Sequence, residues 1–247
     1  MKIILFGANG KMGKSVVSLV KEPDEIVCGV DPASDNAPFP VYSNCNEITE
    51  QADVCIDFSV PQNWEERLTF CESRRLPLVL ATTGFSAEEE QKIRYYARHN
   101  TIFKSENFSF CVNLLRILAQ KAAKALKEFD AEIVEKHHAQ KKDAPSGTAL
   151  LLAKSVNEGF GGTKKFVFGR GAGARKKNEL GIHSVRGGTV TGEHEIFFFG
   201  ENETLALSHS AHSRAVFAAG ALKAAAWIIG KPAGLYSMEN LCVDILR

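Results

Sequence analysis

The stretch Ile3-Ile4-Leu5-Phe6-Gly7-Ala8-Asn9-Gly10-Lys11-Met12-Gly13 decides the fold of this 247-residue chain. Four apolar residues in a row, two of them β-branched, read as a strand buried on both faces. The glycines that follow stand at 7, 10 and 13, with Ala8 where the commoner GxGxxG spacing has its first glycine. An amphipathic helix is expected from there to about Val20. A strand, a glycine-rich turn and a helix form the setting of a dinucleotide-binding loop. Bare backbone lets a pyrophosphate approach, and the helix start offers unpaired N–H groups and the positive end of the macrodipole. A tight βα turn without a ligand has the same appearance, so the loop alone leaves both readings open. A second strand, Glu25–Val30, ends at Asp31, 18 residues after Gly13. The fingerprint places near that point an acid that accepts hydrogen bonds from the adenosine ribose. The agreement of the two features favours the dinucleotide. The cofactor-binding candidates here are Gly7, Ala8, Asn9, Gly10, Lys11, Met12 and Asp31.

The alternation of strand and helix continues. After a loop with Pro32, Pro38 and Pro40 and a short helix over 47–51, a strand is expected over 54–58, a helix over 63–73 and a strand over 76–80. The turn Ala81-Thr82-Thr83-Gly84 leads to a helix capped by Ser86, with Glu89 completing a capping box, and then to a strand over 101–104. Such alternation implies a parallel sheet with right-handed crossovers and ligands outside the carboxyl ends of its strands. The turns 57–61, 81–84 and 105–108 then face the cofactor, which adds Ala81, Thr82, Thr83, Ser105, Glu106, Asn107 and Phe108 to the candidates. After Phe108 the pattern changes. A long helix over 112–129 precedes strands over 132–134, 166–168, 181–185, 190–199 and 204–210, read as an open, partly antiparallel sheet. An alanine-rich helix over 213–229 returns to the first domain. The expected class is α/β, a Rossmann-type doubly wound parallel sheet plus a smaller α+β domain with an open mixed sheet. The expected boundaries are 1–110 with 215–247, and 111–214.

The chemistry concentrates in Glu132–Thr148, EIVEKHHAQKKDAPSGT. A short strand delivers His137 and His138; Lys141 follows; then Asp143-Ala144-Pro145-Ser146-Gly147-Thr148 opens an apolar helix. Two groups able to titrate near neutrality, an ammonium and a Gly-containing helix start suit proton donation to a small anionic substrate. Each piece has an ordinary reading too. Adjacent histidines are commonly one packed and one exposed, and D-x-P-S-G is common turn and cap chemistry.

The full string E-x-H-H-x-x-K-x-D-A-P-S-G-T-A resembles the signature of dihydrodipicolinate reductases. The resemblance extends to Thr82-Thr83-Gly84-Phe85, Asn107-Phe108-Ser109, the stretch Arg186-Gly187-Gly188 with Gly192-Glu193-His194, and the terminal helix. It departs at Ala81, where relatives usually have glycine. The resemblance implies reduction by NADH or NADPH of 4-hydroxy-tetrahydrodipicolinate, a small anionic dicarboxylate, in lysine biosynthesis. It implies that His137 and Lys141 are the acid/base and proton-donating groups, and that His138, Gly147 and Thr148 hold the substrate carboxylates. It also implies a dinucleotide-binding first domain, and a second domain that binds substrate and forms homotetramers through its sheet. Cofactor and substrate groups then fall on different domains, which must close for hydride transfer. A dehydrogenase of another imine or amino acid, such as aspartate, could share the first domain but has no need of HHxxKxDAPSGTA. Many relatives carry arginine after the acid of the second strand; Pro32 stands there, so NADH is expected to serve at least as well as NADPH.

Composition narrows the alternatives. A net charge of +1 gives no general reason to expect nucleic acid or an anionic membrane as partner. The most apolar long segment, 215–229, carries Lys223 and is too short to span a bilayer. The six scattered cysteines contain no C-x-x-C pair and read as buried free thiols of a cytoplasmic protein. His209-x-x-His212 has a possible ligand spacing, but no acid or thiol cluster joins it, so histidines 183, 194, 209 and 212 are taken as core or loop residues and no metal is expected. The basic loop 164–177 is read as a solvated, mobile segment near the substrate.

Overall fold

The computed structural model describes residues 1–33 and 37–247. Contacts divide the chain into two units, Met1–Phe110 with Ala215–Arg247, and Cys111–Arg214. In chain order the first unit opens with β1 (Lys2–Phe6), α1 (Lys11–Leu19), β2 (Glu25–Val30), β3 (Val41–Tyr42), β4 (Val54–Asp57), α2 (Trp64–Arg74), β5 (Leu78–Leu80), α3 (Ala87–Tyr96) and β6 (Thr101–Lys104). Helix α4 (Phe110–Ala125) starts at the boundary. The second unit continues with β7 (Asp130–His137), α5 (Gly147–Gly159), β8 (Lys165–Phe168), β9 (Glu179–Arg186), β10 (Gly192–Phe199) and β11 (Thr204–Ala211). The chain then returns to the first unit as α6 (Ala215–Ile228), β12 (Gly234–Tyr236) and α7 (Met238–Ile245).

The first sheet runs β12-β6-β5-β4-β1-β2-β3 with every pairing parallel. Strand β1 shows why apolar runs rather than alternation mark its strands. Ile3 and Leu5 enter one core with Val54, Ile56, Ala221 and Ala225. Ile4 and Phe6 enter the other with Cys55, Leu68, Leu78 and Ile93. Both faces are covered, so both sets must be apolar. The order reverses between β1 and β4, whose carboxyl ends are the topological switch point. Ser86 and Glu89 form the expected capping box at the start of α3.

The second sheet runs β11-β10-β7-β9-β8, mixed in direction. In β7 burial alternates strictly: Ala131, Ile133, Glu135 and His137 lie on the buried face. Ala131 and Ile133 pack on Leu115, Ala119, Leu152 and Val156 of α4 and α5. The period of two then carries Glu135 and His137 onto that face at the strand's carboxyl end. Parallel pairing sets His137 beside Arg186, and antiparallel pairing sets Glu135 beside His194.

Several expectations needed correction. The helix over 47–51 is a single 3-10 turn, Cys45–Glu47, because Ile48 turns extended and buries its side chain in the core. Helix α4 ends at Ala125, four residues short of the expected end. Cys111 is exposed, whereas the other five free cysteines are buried. The basic loop is not freely solvated. Arg170 pairs with Glu132 at 2.7 Å and Glu179 at 2.8 Å, and Arg175 with Asp130 at 2.5 Å and Glu132 at 3.0 Å. Half-buried acids on the open face of the sheet supply the reason, since charges withdrawn from water need partners.

Candidate active site

In the second unit the site is built around the carboxyl end of β7 and the start of α5. Glu135 is fully buried, and its carboxylate is ringed by donors. Arg186 donates to Oε2 at 2.8 Å and to Oε1 at 2.7 Å. The Ser146 N–H donates to Oε1 at 3.1 Å, and His137 Nδ1 lies 2.5 Å from Oε2. Burial alone would raise this carboxyl's pKa, but the bonds from Arg186, Ser184, His137 and Ser146 outweigh it and bring it down to about 2. An ionised carboxylate only accepts, so His137 carries its proton on Nδ1. Burial lowers the pKa of His137; Glu135 opposes this, while the charges of Lys141 and Arg186 add to it.

The other ring nitrogen of His137 looks toward Gly192, where a Cβ would stand 3.0 Å from Nε2. The ring of His194 meets that of His137 edge to face, with centroids 5.2 Å apart. Ser146 caps α5 by accepting the Ala149 N–H at 3.1 Å, and its Oγ lies 3.2 Å from His194 Nε2. Burial first, and His137 second, bring the pKa of His194 down to about 4. His194 is then neutral near pH 7, with Nε2 against the Ser146 hydroxyl and Nδ1 a buried atom with no hydrogen-bond partner among the described residues.

Lys141 closes the other side of this turn. Its N–H donates to His138 O at 3.1 Å, and its Nζ pairs with Asp143 Oδ1 at 2.8 Å. The bond from Lys141, more than any other cause, lowers the pKa of Asp143. Arg186 also donates to Asp143 O at 2.7 Å, so the turn is anchored at both ends. Gly147 and Thr148 open α5. A Cβ at Gly147 would meet nothing within 4 Å, so the protein's own packing does not require glycine there. His137, His138, Lys141, Gly147 and Thr148 therefore share one short segment and one end of the sheet.

The first unit carries the nucleotide candidates around two cavities. The larger, about 460 Å³, is lined by Gly7, Gly10, Asp31, Pro32, Phe58 and Arg67 among others. The second, about 350 Å³, is lined by Met12, Phe58, Ala81, Thr82, Thr83, Phe217 and Ser105, Glu106, Asn107 and Phe108. Gly7 has φ +73°, and a Cβ there would lie 2.8 Å from the Phe58 and Ser59 backbone. Glycine is required on both counts. Gly10 caps α1 without a side-chain bond, which leaves the first-turn amides to an outside acceptor. Asp31 accepts the Asn9 and Ala33 N–H groups, each at 3.0 Å, and so fastens the glycine turn to the end of β2. A carboxylate retains lone pairs for a ribose beyond those two bonds. This turn thus fits a dinucleotide: bare backbone, open helix amides and an acid at the edge. Ala8 is buried in the core and Lys11 is exposed; neither lines these cavities. Thr82 is also buried, its hydroxyl 3.1 Å from Asp57 Oδ1 and 3.0 Å from Ser59 O, where it braces the β4–α2 turn.

Sequence reasoning missed Glu135 and Ser146 and had set Arg186 and His194 aside as structural or at a subunit contact. Glu135 was in reach, since a strand places residues two apart on one face. Arg186 was not, because its place depends on the β7–β9 register. Among the described residues no group of three His, Cys, Asp or Glu side chains could hold a metal ion.

Residues 1–108 match the family description "Dihydrodipicolinate reductase, N-terminus", and residues 111–242 match "Dihydrodipicolinate reductase, C-terminus". The 4-hydroxy-tetrahydrodipicolinate reductase of Caldanaerobacter subterraneus subsp. tengcongensis is 49% identical over 245 residues, covering 98% of each chain. That of Clostridium tetani is 44% identical, covering 97% of this chain and 96% of its own. The dipicolinate-bound dihydrodipicolinate reductase from Paenisporosarcina sp. TG-14 shares the fold at a TM-score of 0.83 and 28% identity, over 98% of this chain and 99% of that one. Both halves are matched and the likeness runs nearly end to end, so this chain belongs to the dihydrodipicolinate reductase family.

Proposed function

We propose that this chain reduces 4-hydroxy-tetrahydrodipicolinate to tetrahydrodipicolinate, with loss of water, in lysine and diaminopimelate biosynthesis. The observation that carries the reading is the second-unit site: a buried Glu135–His137 pair, the Lys141 ammonium and an uncrowded helix start within one turn of chain. A nicotinamide held in the first domain would supply the hydride that reduces a conjugated imine. Within the second domain, Gly147 and Thr148 receive a substrate carboxylate at the positive end of α5, with His138 beside it. The open space at Gly147 supports this, because a ligand gives glycine a reason that packing does not. Lys141 or His137 delivers the proton that quenches the electron density left by hydride addition. A positioned donor is worth roughly 10²–10⁴-fold in rate. His137, its Nδ1 proton committed to Glu135, offers Nε2 to the substrate.

Gly7, Ala8, Asn9, Gly10, Lys11, Met12 and Asp31 hold the adenosine and pyrophosphate side on this reading. The turns Ala81–Thr83 and Ser105–Phe108 hold the nicotinamide side. NADH serves at least as well as NADPH. A 2′-phosphate about 6 Å from Asp31 would be repelled by roughly 3 kcal/mol per unit charge at an effective dielectric near 20. Arg67, a cation in that cavity's lining, is held by Asp57 at 2.7 Å. A cytoplasmic homotetramer formed through the open face of the second sheet completes the reading. That face carries Phe197 and Phe199, stacked 5.7 Å apart. No helix among the described residues is long and apolar enough to cross a membrane.

The test is NADH oxidation at 340 nm with the fresh condensation product of pyruvate and aspartate semialdehyde, comparing the native chain with Lys141→Ala. A fall in kcat/KM of about 10²-fold or more, with NADH affinity unchanged, is expected. No turnover by the native chain overturns the activity, and unaltered turnover in the variant removes Lys141 from the mechanism.

A further inference from the structure

One buried carboxylate gathers three separate pieces of the second unit. Glu135 on β7 receives both terminal nitrogens of Arg186 at the end of β9, 51 residues away, at 2.8 and 2.7 Å. It also receives the Ser146 N–H that opens the cap of α5, and it stands 2.5 Å from His137 Nδ1. Arg186 reaches past it to Asp143 O, the residue paired with Lys141. The groups facing His137 are thus Glu135 on its own strand, Arg186 on β9, His194 on β10 and Lys141 in the turn.

Without Arg186, a carboxyl of no exposure would favour its neutral form. A neutral acid presents an O–H, which can donate to Nδ1 and drive the ring's proton to Nε2. Nε2 is the nitrogen that faces Gly192, where the absence of a side chain leaves room beside it. The two ring tautomers therefore differ at the atom open to a ligand.

We propose that Arg186 is a positioning residue: by gripping both oxygens of Glu135 it keeps them as acceptors, and so fixes His137 with its proton on Nδ1 and Nε2 bare. The arrangement is a two-step clamp, in which a guanidinium orients a carboxylate and the carboxylate orients the ring. The inference deepens the role given to His137 above and rests on it only for its kinetic arm.

Two measurements test it on the full chain. The first is long-range ¹H–¹⁵N NMR of the histidine rings near neutral pH, with His137 assigned through His137→Asn. The native protein should show the Nδ1–H tautomer at His137, and Arg186→Gln should show a mixture or the Nε2–H form. The second is a double-mutant cycle in kcat. Arg186→Gln should lower kcat about tenfold or more in the native background and less than about twofold in the His137→Asn background. Arg186→Lys, which keeps a cation but cannot fork across both oxygens, should fall between native and Gln in both arms. An unchanged His137 tautomer in Arg186→Gln, or equal kcat losses in the two backgrounds, overturns the proposal. If melting and NADH binding show that Arg186→Gln does not fold, Arg186→Lys carries both arms with the same refuting results. A native chain without reductase turnover overturns the activity while the NMR arm still decides this proposal.

Discussion

Replacing Gly13 by alanine sets two effects against each other. Gly13 lies inside α1, where alanine is intrinsically better than glycine by about 1 kcal/mol. Against this, the new Cβ would stand 2.2 Å from Gly7 O, 2.5 Å from Ala8 O and 2.8 Å from Ala8 C. All three are backbone atoms of the β1–α1 turn, so no side-chain rotation relieves the contact, and the helix must retreat by roughly an ångström. Overpacking of this kind typically costs 1–3 kcal/mol, and a purely backbone contact belongs at the upper end. The contact wins. A net loss of about 1–2 kcal/mol lowers Tm by roughly 2–8 °C for a chain of this length. Retreat of α1 also carries its first-turn amides away from the glycine turn, so NADH should bind about tenfold or more weakly, a change of about 1.4 kcal/mol. Calorimetric melting and a fluorescence titration with NADH read both effects. Titration with pyridine-2,6-dicarboxylate serves as a control and should change less than about twofold, because the residues proposed to hold a dicarboxylate belong to the other unit. A variant that melts at or above the native chain and binds NADH within about twofold would show that helix propensity outweighs the close approach.

The cofactor preference gives a second test. At one fixed ionic strength kcat/KM for NADH should be at least that for NADPH, and Pro32→Arg should move the ratio toward NADPH by about fivefold or more; a tenfold native preference for NADPH refutes the electrostatic reasoning. Acid stability gives a third. The ordinary pKa of histidine, 6.5, falls to about 4 at His194 in the folded chain, and that of Glu135 falls from 4.5 to about 2. In each interval the unfolded chain binds more protons than the folded one, so stability declines as pH falls, first from about 6.5 to 4 and then from about 4.5 to 2. Urea midpoints should follow that course, and His194→Asn should flatten the first part; a native midpoint independent of pH between 7 and 5 would exclude the His194 contribution.

Local pattern was enough for much of this protein. Both the apolar run of β1 and the glycines at 7, 10 and 13 depend on neighbours in sequence, and so does the capping box at Ser86 and Glu89. A two-sided buried strand must be apolar throughout, and a turn at φ +73° must be glycine, so the Rossmann half could be read before any coordinate was known. The segment 132–148 was legible for the same reason, since its histidines, lysine and helix start lie within one turn of chain.

What the sequence could not supply is register. Arg186 meets Glu135 because β9 pairs with β7 so that His137 lies opposite Arg186, and a slip of one residue would turn Arg186 to the other face. His194 meets His137 through the β10 pairing, with Gly192 leaving the gap that admits the ring nitrogen. The loop arginines 170 and 175 look like solvated charge until the sheet presents Glu132, Asp130 and Glu179 to them. Residue types declared which groups could do proton chemistry. Long-range strand pairing decided which carboxylate, guanidinium and second imidazole surround them, because hydrogen bonding across a sheet is set by partners far apart in the chain.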